Sequence, residues 1–361
     1  MNVLEQQLNY PLGESLPEPA HRLEVAAGVY WLRMPLPFVL DHINVWLLRD
    51  EIEGQAGWTI VDCGVTDASI KALWERVFDE HLDGLPVLRV LVTHFHPDHV
   101  GLAHWICAGG DRARWDVRLW MSLGEYMTAR TLAAGDVSGS SAGGDAAARH
   151  FMLHGLQDAD AIAQIRARKN YYSKLVPQVP ATYRRVREGD VVAIGERGWQ
   201  VITGFGHSSE HCALYDAQDE VLIAGDMVLP RISTNVSVFD VEPEANPLAW
   251  FLESLDHFRS LSPDTLVLPS HGKPFRGLHT RLAQLRDHHA ARLDEVREAC
   301  AAKPCSAADI LPMMFKRKLD THQMTFAMGE ALAHLHLLWH AGELRRVRGE
   351  DGVIRFVPSG I

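Results

Sequence analysis

The sequence predicts a mixed α/β protein in which two sheets pack face to face and helices cover their outer sides. Three observations carry this expectation: strand-like segments punctuated by glycine recur in both halves, helix-like segments are interleaved with them, and strand ends repeatedly run into short polar loops. At 361 residues the chain can bury a large core and exceeds one typical domain.

Arg22 to Ala26, Val29 to Arg33, Ile43 to Arg49 and Trp58 to Val61 have strand composition, the last ended by Asp62-Cys63-Gly64. Ala68 to His81 predicts an amphipathic helix, with Ile70, Leu73, Trp74, Val77 and Phe78 on one face. Val87 to Val92 is the next strand, and His99 to Ala108 the next helix, closed by Gly109-Gly110. In the middle, Gly124 to Arg130 and Ala159 to Lys169 look helical, while the Gly/Ser-rich stretch from Gly135 to Asp145 has nothing with which to pack a core. This helical insertion, about 120–181, admits two readings, a surface excursion or a cap with a mobile lid over a cleft.

Strand composition returns at Gln200 to Thr203, Cys212 to Asp216, Val221 to Ala224 and Thr265 to Leu268. Asn246-Pro247 offers an N-cap and a first-turn proline for a helix from Leu248 to Arg259. Beyond Gly277 the pattern is helical: Leu278 to Cys300, a short helix capped by Ser306, and Gln323 to Ala341. Leu344 to Arg348 and Val353 to Val357 flank Gly349-Glu350-Asp351-Gly352, a hairpin signal. Helices followed by a hairpin predict a small winged-helix domain over 278–361, after a catalytic domain over 1–277. The hairpin arginines can meet phosphate, but Glu350 and Asp351 at its tip favour a solvated face.

The chemistry concentrates in Thr93-His94-Phe95-His96-Pro97-Asp98-His99, where three histidines and an aspartate fall within six residues after an apolar strand. Pro97 is expected to forbid regular ladder or helix geometry and so to leave these side chains on a strand-end loop. Imidazole and carboxylate at this density suit a borderline divalent metal, and burying four such groups without partners is costly. Three other strand ends offer similar side chains beside small residues: Gly206-His207 with His211, Gly225-Asp226, and His271-Gly272.

Bulk properties narrow the partners. A net charge of −11 argues against a nucleic-acid footprint over the whole protein, although a local basic patch remains compatible with it. Met1 to Pro19 lacks the basic-then-apolar pattern of a signal peptide, and no apolar run approaches membrane-spanning length. The five cysteines, Cys63, Cys107, Cys212, Cys300 and Cys305, follow no zinc-site spacing and are expected to be reduced thiols of a cytoplasmic protein, with Cys300 and Cys305 near enough in sequence to pair. A small-molecule substrate is expected, with no membrane partner, nucleic acid disfavoured, and self-association left open.

With its His-x-His-x-Asp-His motif at His94, His96, Asp98 and His99, followed by His207, Asp226 and His271, the chain resembles the metallo-β-lactamase superfamily over about residues 21–277. The resemblance implies a four-layer αββα sandwich with a metal pair at one edge. It implies His94, His96 and His207 on one metal and Asp98, His99 and His271 on the other, with Asp226 bridging; the family places its ligand at the first histidine of the His207/His211 pair, leaving His211 to support the turn. Two divalent ions, zinc first with iron or manganese as alternatives, would then share a hydroxide, with Asp98 and Asp226 in the catalytic machinery.

The layout of the tail is similar to a branch with winged-helix tails: β-lactamase-like hydrolases, a mitochondrial endoribonuclease and polyketide-releasing thioesterases. Hydroxyacylglutathione hydrolases (glyoxalase II) have similar ligands. The expected activity is hydrolysis of a small ester or thioester, an acyl-CoA or hydroxyacylglutathione-like compound, with Phe38, Phe95, Phe205, Met227 and Phe239 as candidate acyl-pocket residues and the basic run from Arg166 to Lys174 as a candidate carrier contact. The alternatives are a lactonase, an endoribonuclease or phosphodiesterase, and a mononuclear iron persulfide dioxygenase.

Overall fold

Alternation along one strand explains how the two sheets share the work of burial. In β3 (His42–Ile52), Ile43, Val45 and Leu47 point to one apolar cluster, while Trp46 and Leu48 point to another. The structure, a computed structural model, describes residues 3–135, 143–316, 319 and 321–360. A seven-stranded sheet runs in sequence order, β1 (Leu23–Ala26), β2 (Val29–Pro35), β3, β4 (Gln55–Val61), β5 (Val87–Leu91), β6 (Leu119–Met121) and β7 (Tyr183–Arg185). It is antiparallel up to β4 and parallel from β4 onward. A five-stranded sheet has the order β12 (Leu266–Pro269), β11 (Val221–Gly225), β10 (His211–Asp216), β9 (Arg197–Gly204) and β8 (Val191–Ile194).

The two sheets meet through Trp31, Trp46 and Leu91 on one side and Trp199, Leu214 and Ile223 on the other, all withdrawn from water. Burying each such indole contributes a gross ~4–6 kcal/mol. On the outer face of the first sheet lie α1 (Ala68–Glu80), α2 (Pro97–Val100), α3 (Ala103–Cys107) and α4 (Leu123–Ala133); Ile70, Trp74 and Val77 of α1 pack against Leu32, Leu47 and Ile60. The outer face of the second sheet carries α8 (Pro247–His257) and the C-terminal helices α9 (Leu278–Ala302), α10 (Ala307–Met314) and α11 (Thr321–His340), with Leu222, Ala224, Phe251, Leu285 and Leu335 in one cluster. The arrangement is therefore helix, sheet, sheet, helix. A separate hairpin, β13 (Leu344–Arg348) and β14 (Ile354–Pro358), closes the chain.

Several local expectations needed correction. Pro97 does not exclude a helix; it occupies the first turn of α2, where its missing N–H is no loss, so Asp98 and His99 are helical rather than on a free loop. The helix expected from His99 to Ala108 is split into α2 and α3. Leu102 N–H turns to the Gly64 carbonyl at 3.0 Å, and a Cβ on Gly101 would stand 2.7 Å from that same oxygen, so the break is a close approach to the β4–α1 turn. Asn246 makes no side-chain cap bond; Pro247 alone marks the start of α8. Ser306, in contrast, forms a reciprocal capping box with Asp309.

The insertion holds more structure than its sequence suggested: besides α4 and α6 (Ala159–Ala167) it contains α5 (Gly144–Leu153), which Gly144 and Asp145 begin, and α7 (Tyr171–Leu175). The glycine-rich stretch at 136–142 lies outside the described residues. All five cysteines are free and buried, Cys300 and Cys305 included. Among the described residues no helix is long and apolar enough to cross a membrane.

Candidate metal centre

The site is built at the ends of β4, β5, β9, β11 and β12, at the edge where the two sheets meet. Asp62 leaves β4 with φ of 63°, a left-handed conformation that aspartate tolerates. Its carboxylate accepts from Thr93 N–H at 2.8 Å and from His99 Nδ1 at 2.8 Å. The turn thus ties the end of β4 to the motif after β5 and fixes the His99 ring.

Two groups of ligand atoms form. His94, His96, His207 and Asp226 make one, and Asp98, His99 and His271 the other, each with all its ligand atoms within 4.8 Å of one another. His94 Nε2 is 2.9 Å from His96 Nδ1 and 3.2 Å from His207 Nε2. The Asp226 carboxylate lies between the groups: Oδ2 is 3.4 Å from His207 Nε2, and Oδ1 is 3.6 Å from His99 Nε2 and 3.5 Å from His271 Nε2. Asp98 Oδ2 is 3.4 Å from His271 Nε2.

The outer nitrogens of these rings are engaged by the protein. His99 Nδ1 donates to Asp62, His207 Nδ1 to the Asn235 carbonyl at 2.7 Å, and His271 Nδ1 to the His42 carbonyl at 2.7 Å. With a proton assigned to each Nδ1 by its acceptor, the Nε2 lone pairs face inward. His99 Nε2 and Asp226 Oδ1 are buried and have no hydrogen-bond partner. Buried orphans of this kind are costly in a protein that keeps the site for its own sake. They fit a cation held among nitrogen and oxygen ligands.

The electrostatics agree. Burial, reinforced by neighbouring histidines, holds His94 neutral and takes His96 down to about 3. Burial opposes charge on Asp98, but His99 and His271 outweigh it and bring the carboxyl to about 2. Burial would also depress His99; the Asp62, Asp98 and Asp226 carboxylates outweigh it and raise the ring to about 10. Left to itself the ring therefore keeps a second proton on Nε2 in place of the inward lone pair, and this reports an excess of buried negative charge that a bound cation would offset.

Two known families match the chain: the metallo-beta-lactamase superfamily over residues 39–271, a span that contains all seven of these residues, and the metallo-beta-lactamase-like C-terminal domain over residues 293–359. The chain belongs to the metallo-beta-lactamase superfamily. A β-lactamase domain protein from Burkholderia ambifaria is similar at 65% identity and a TM-score of 0.94, over 99% of this chain and 100% of that one. A metallo-beta-lactamase family protein from Thermus thermophilus is 26% identical with a TM-score of 0.74, over 93% of this chain and 100% of that one. The probable metallo-hydrolase YqjP of Bacillus subtilis (strain 168) is 24% identical, over 85% of this chain and 91% of its own.

Within this superfamily member, all seven residues singled out from sequence converge. His211 stays outside both groups: its Nε2 accepts the Asp226 N–H at 3.1 Å, supporting the turn. No pattern in the sequence pointed to Glu125. This buried carboxylate of α4 accepts from Phe95 N–H at 2.8 Å, Ser208 Oγ at 2.7 Å and Glu210 N–H, so the insertion joins the motif loop to the His207 loop. Tyr172 of α7 adds a bond from its hydroxyl to the Phe95 carbonyl. Only the adjacency of Glu125 to a predicted helix start was visible beforehand.

The candidate acyl-pocket residues and the hairpin arginines are placed as follows. Met227 is fully buried in the core beneath Gly204, whereas Phe205 is exposed and Phe38, Phe95 and Phe239 are half-buried. Among the hairpin arginines, Arg346 pairs with Glu244 and lies over Trp339, and Arg355 pairs with Asp351.

Proposed function

We propose that this chain is a hydrolase that works with two divalent cations, zinc first among them, on a small ester or thioester. The observation that carries it is the Asp226 carboxylate placed between two complete groups of inward-facing ligands. His94, His96 and His207 would hold one cation, Asp98, His99 and His271 the other, and Asp226 would serve both. Such a pair supplies an acidified water, its pKa taken from 15.7 toward about 7, and a positive charge for the attacked oxygen.

The chain's own residues orient and insulate. Asp62, Asn235 and His42 set the tautomers of His99, His207 and His271 through the bonds described above. Glu125 locks the two ligand loops together, so the ligands are arranged before substrate arrives. The kinship with a probable metallo-hydrolase supports hydrolysis as the reaction class. The net charge of −11 and the self-paired arginines at Arg346 and Arg355 favour a small substrate over RNA. We read residues 278–361 as a winged-helix-type tail on the catalytic unit.

Elemental analysis joined to a screen of thioesters, lactones, phosphodiesters and β-lactams tests this reading. Two zinc ions per chain with thioester or ester turnover is the expected result. One iron per chain with oxygen uptake would overturn it in favour of persulfide oxidation, and RNA cleavage that weakens steeply with salt would favour a nuclease.

A further inference from the structure

We infer that the C-terminal helices α9 and α11 form the backing of the metal centre, with Arg281 and Gly329 as positioning residues for Asp226 and His207. The inference rests on the assignment of these two as cation ligands.

Between the end of β11 at Gly225 and the start of α8 at Pro247 the chain contains no helix or strand, so its backbone groups must find partners elsewhere. The C-terminal helices provide many of them. Arg281, a buried residue of α9, donates through Nε to the Leu229 carbonyl and through Nη2 to the Ile232 carbonyl at 2.8 Å. The Gly329 carbonyl of α11 accepts the Val238 N–H at 3.1 Å. His336 Nδ1 and His340 Nε2 donate to the Ala245 and Glu244 carbonyls at 2.8 and 2.9 Å.

The inner side of the same segment holds the ligands. The Asn235 carbonyl accepts from His207 Nδ1, Thr234 Oγ1 donates to the Asp226 carbonyl, and Ser237 Oγ donates to Asn235 Oδ1. Asn235 therefore sits between His207 and a contact with α11 only a few residues along.

Gly329 shows that this contact is built closely. A Cβ at Gly329 would stand 2.6 Å from Ser237 Cβ and 2.7 Å from its Oγ, distances that real side chains do not adopt. Glycine inside a helix is less favourable than alanine, because it gives up more backbone freedom. At this position the glycine lets α11 reach the segment that orients His207. The α9 clamp is equally specific: a guanidinium presents a rigid fork of donors to two carbonyls, which a lysine cannot reproduce.

The test uses the full chain, loaded with zinc or cobalt(II). For Gly329→Ala the expected result is roughly 10-fold weaker zinc binding in chelator competition, the scale usual when a residue supporting a ligand is changed. The cobalt ligand-field spectrum should shift while far-UV circular dichroism of the metal-free chain stays unchanged. Adding Ser237→Gly, which removes the atoms that the new methyl group would strike, should bring affinity and spectrum to those of Ser237→Gly alone, which gives up only the bond to Asn235 Oδ1.

Arg281→Lys tests the α9 clamp without a clash and carries the test if Gly329→Ala does not fold; weaker zinc binding and a shifted spectrum are expected. Unaltered affinity and spectrum in the folded variants overturn the inference, as does a double variant that binds zinc more weakly than Ser237→Gly alone. An unaltered chain that binds neither metal overturns the ligand assignment itself, a result read without any variant.

Discussion

His99 Nδ1 stands 2.8 Å from Asp62 Oδ2, and both side chains are withdrawn from water. The bond commits the other ring nitrogen to the site, where Asp226 Oδ1 waits at 3.6 Å. Carboxylates behind a ligating histidine typically contribute 10–100-fold in metal affinity. Asp62→Ala is expected to weaken the binding of one metal ion by about that factor, measured by metal titration of the metal-free chain. Full two-metal affinity in that variant would remove Asp62 from the site.

Asp226, a member of the first group, also faces His99 and His271 of the second at 3.6 and 3.5 Å. Asp226→Ala should lower hydrolysis by ~1000-fold or more, equivalent to several kcal/mol of lost transition-state stabilisation, in a chain whose circular dichroism is unchanged. Wild-type turnover by a well-folded Asp226→Ala chain would sink the dinuclear reading.

Glu125 tests whether the insertion is part of the site's scaffold. Glu125→Ala leaves the Phe95 and Glu210 N–H groups without their acceptor, and each orphaned buried donor costs about 1–3 kcal/mol. The melting temperature should fall by several degrees, and metal affinity should fall with it. Glu125→Gln, which keeps one carboxamide oxygen, should lose less of both. An unchanged melting curve for Glu125→Ala would show that the insertion folds independently of the ligand loops.

Stability of the metal-free chain should depend on pH in both directions. Burial depresses His289 to about 2, His150 to about 3, and His334 and His336 to about 4. Depressed folded values mean that the unfolded chain binds more protons, so stability is complete above pH ~6.5 and is lost as pH falls below it, on the order of 1 kcal/mol per pH unit for each ring. His99, raised to about 10 by its carboxylates, acts in the opposite sense: its contribution is complete below pH ~6.5 and is lost as pH rises toward 10. Urea midpoints at pH 5, 6.5 and 8.5 should therefore peak at the middle value, and a flat profile would contradict both the burial of the four histidines and the hold of the carboxylates on His99.

Much of this was readable before folding. The apolar run Val87 to Val92 became β5 almost residue for residue, and the Leu344 to Val357 hairpin closed where Gly349 to Gly352 indicated, because strand periodicity and turn chemistry are local properties. The Pro97 rule failed for an instructive reason: proline is excluded from a helix interior but welcome in its first turn, and only the course of the chain beyond Gly101 decides which applies. In the insertion, the tie between Glu125 and Phe95 was invisible because it joins residues 30 positions apart across two elements.

The seven candidate ligands were named before folding: the cluster from His94 to His99 by its own density of imidazole and carboxylate, and His207, Asp226 and His271 through the resemblance to the superfamily. Tertiary structure alone decided that Asp226 faces both groups, that Asp62 turns His99, and that helices from the far end of the chain hold the segment behind His207. Each of those is a distance between residues remote along the chain, and such distances are set by how sheets and helices pack.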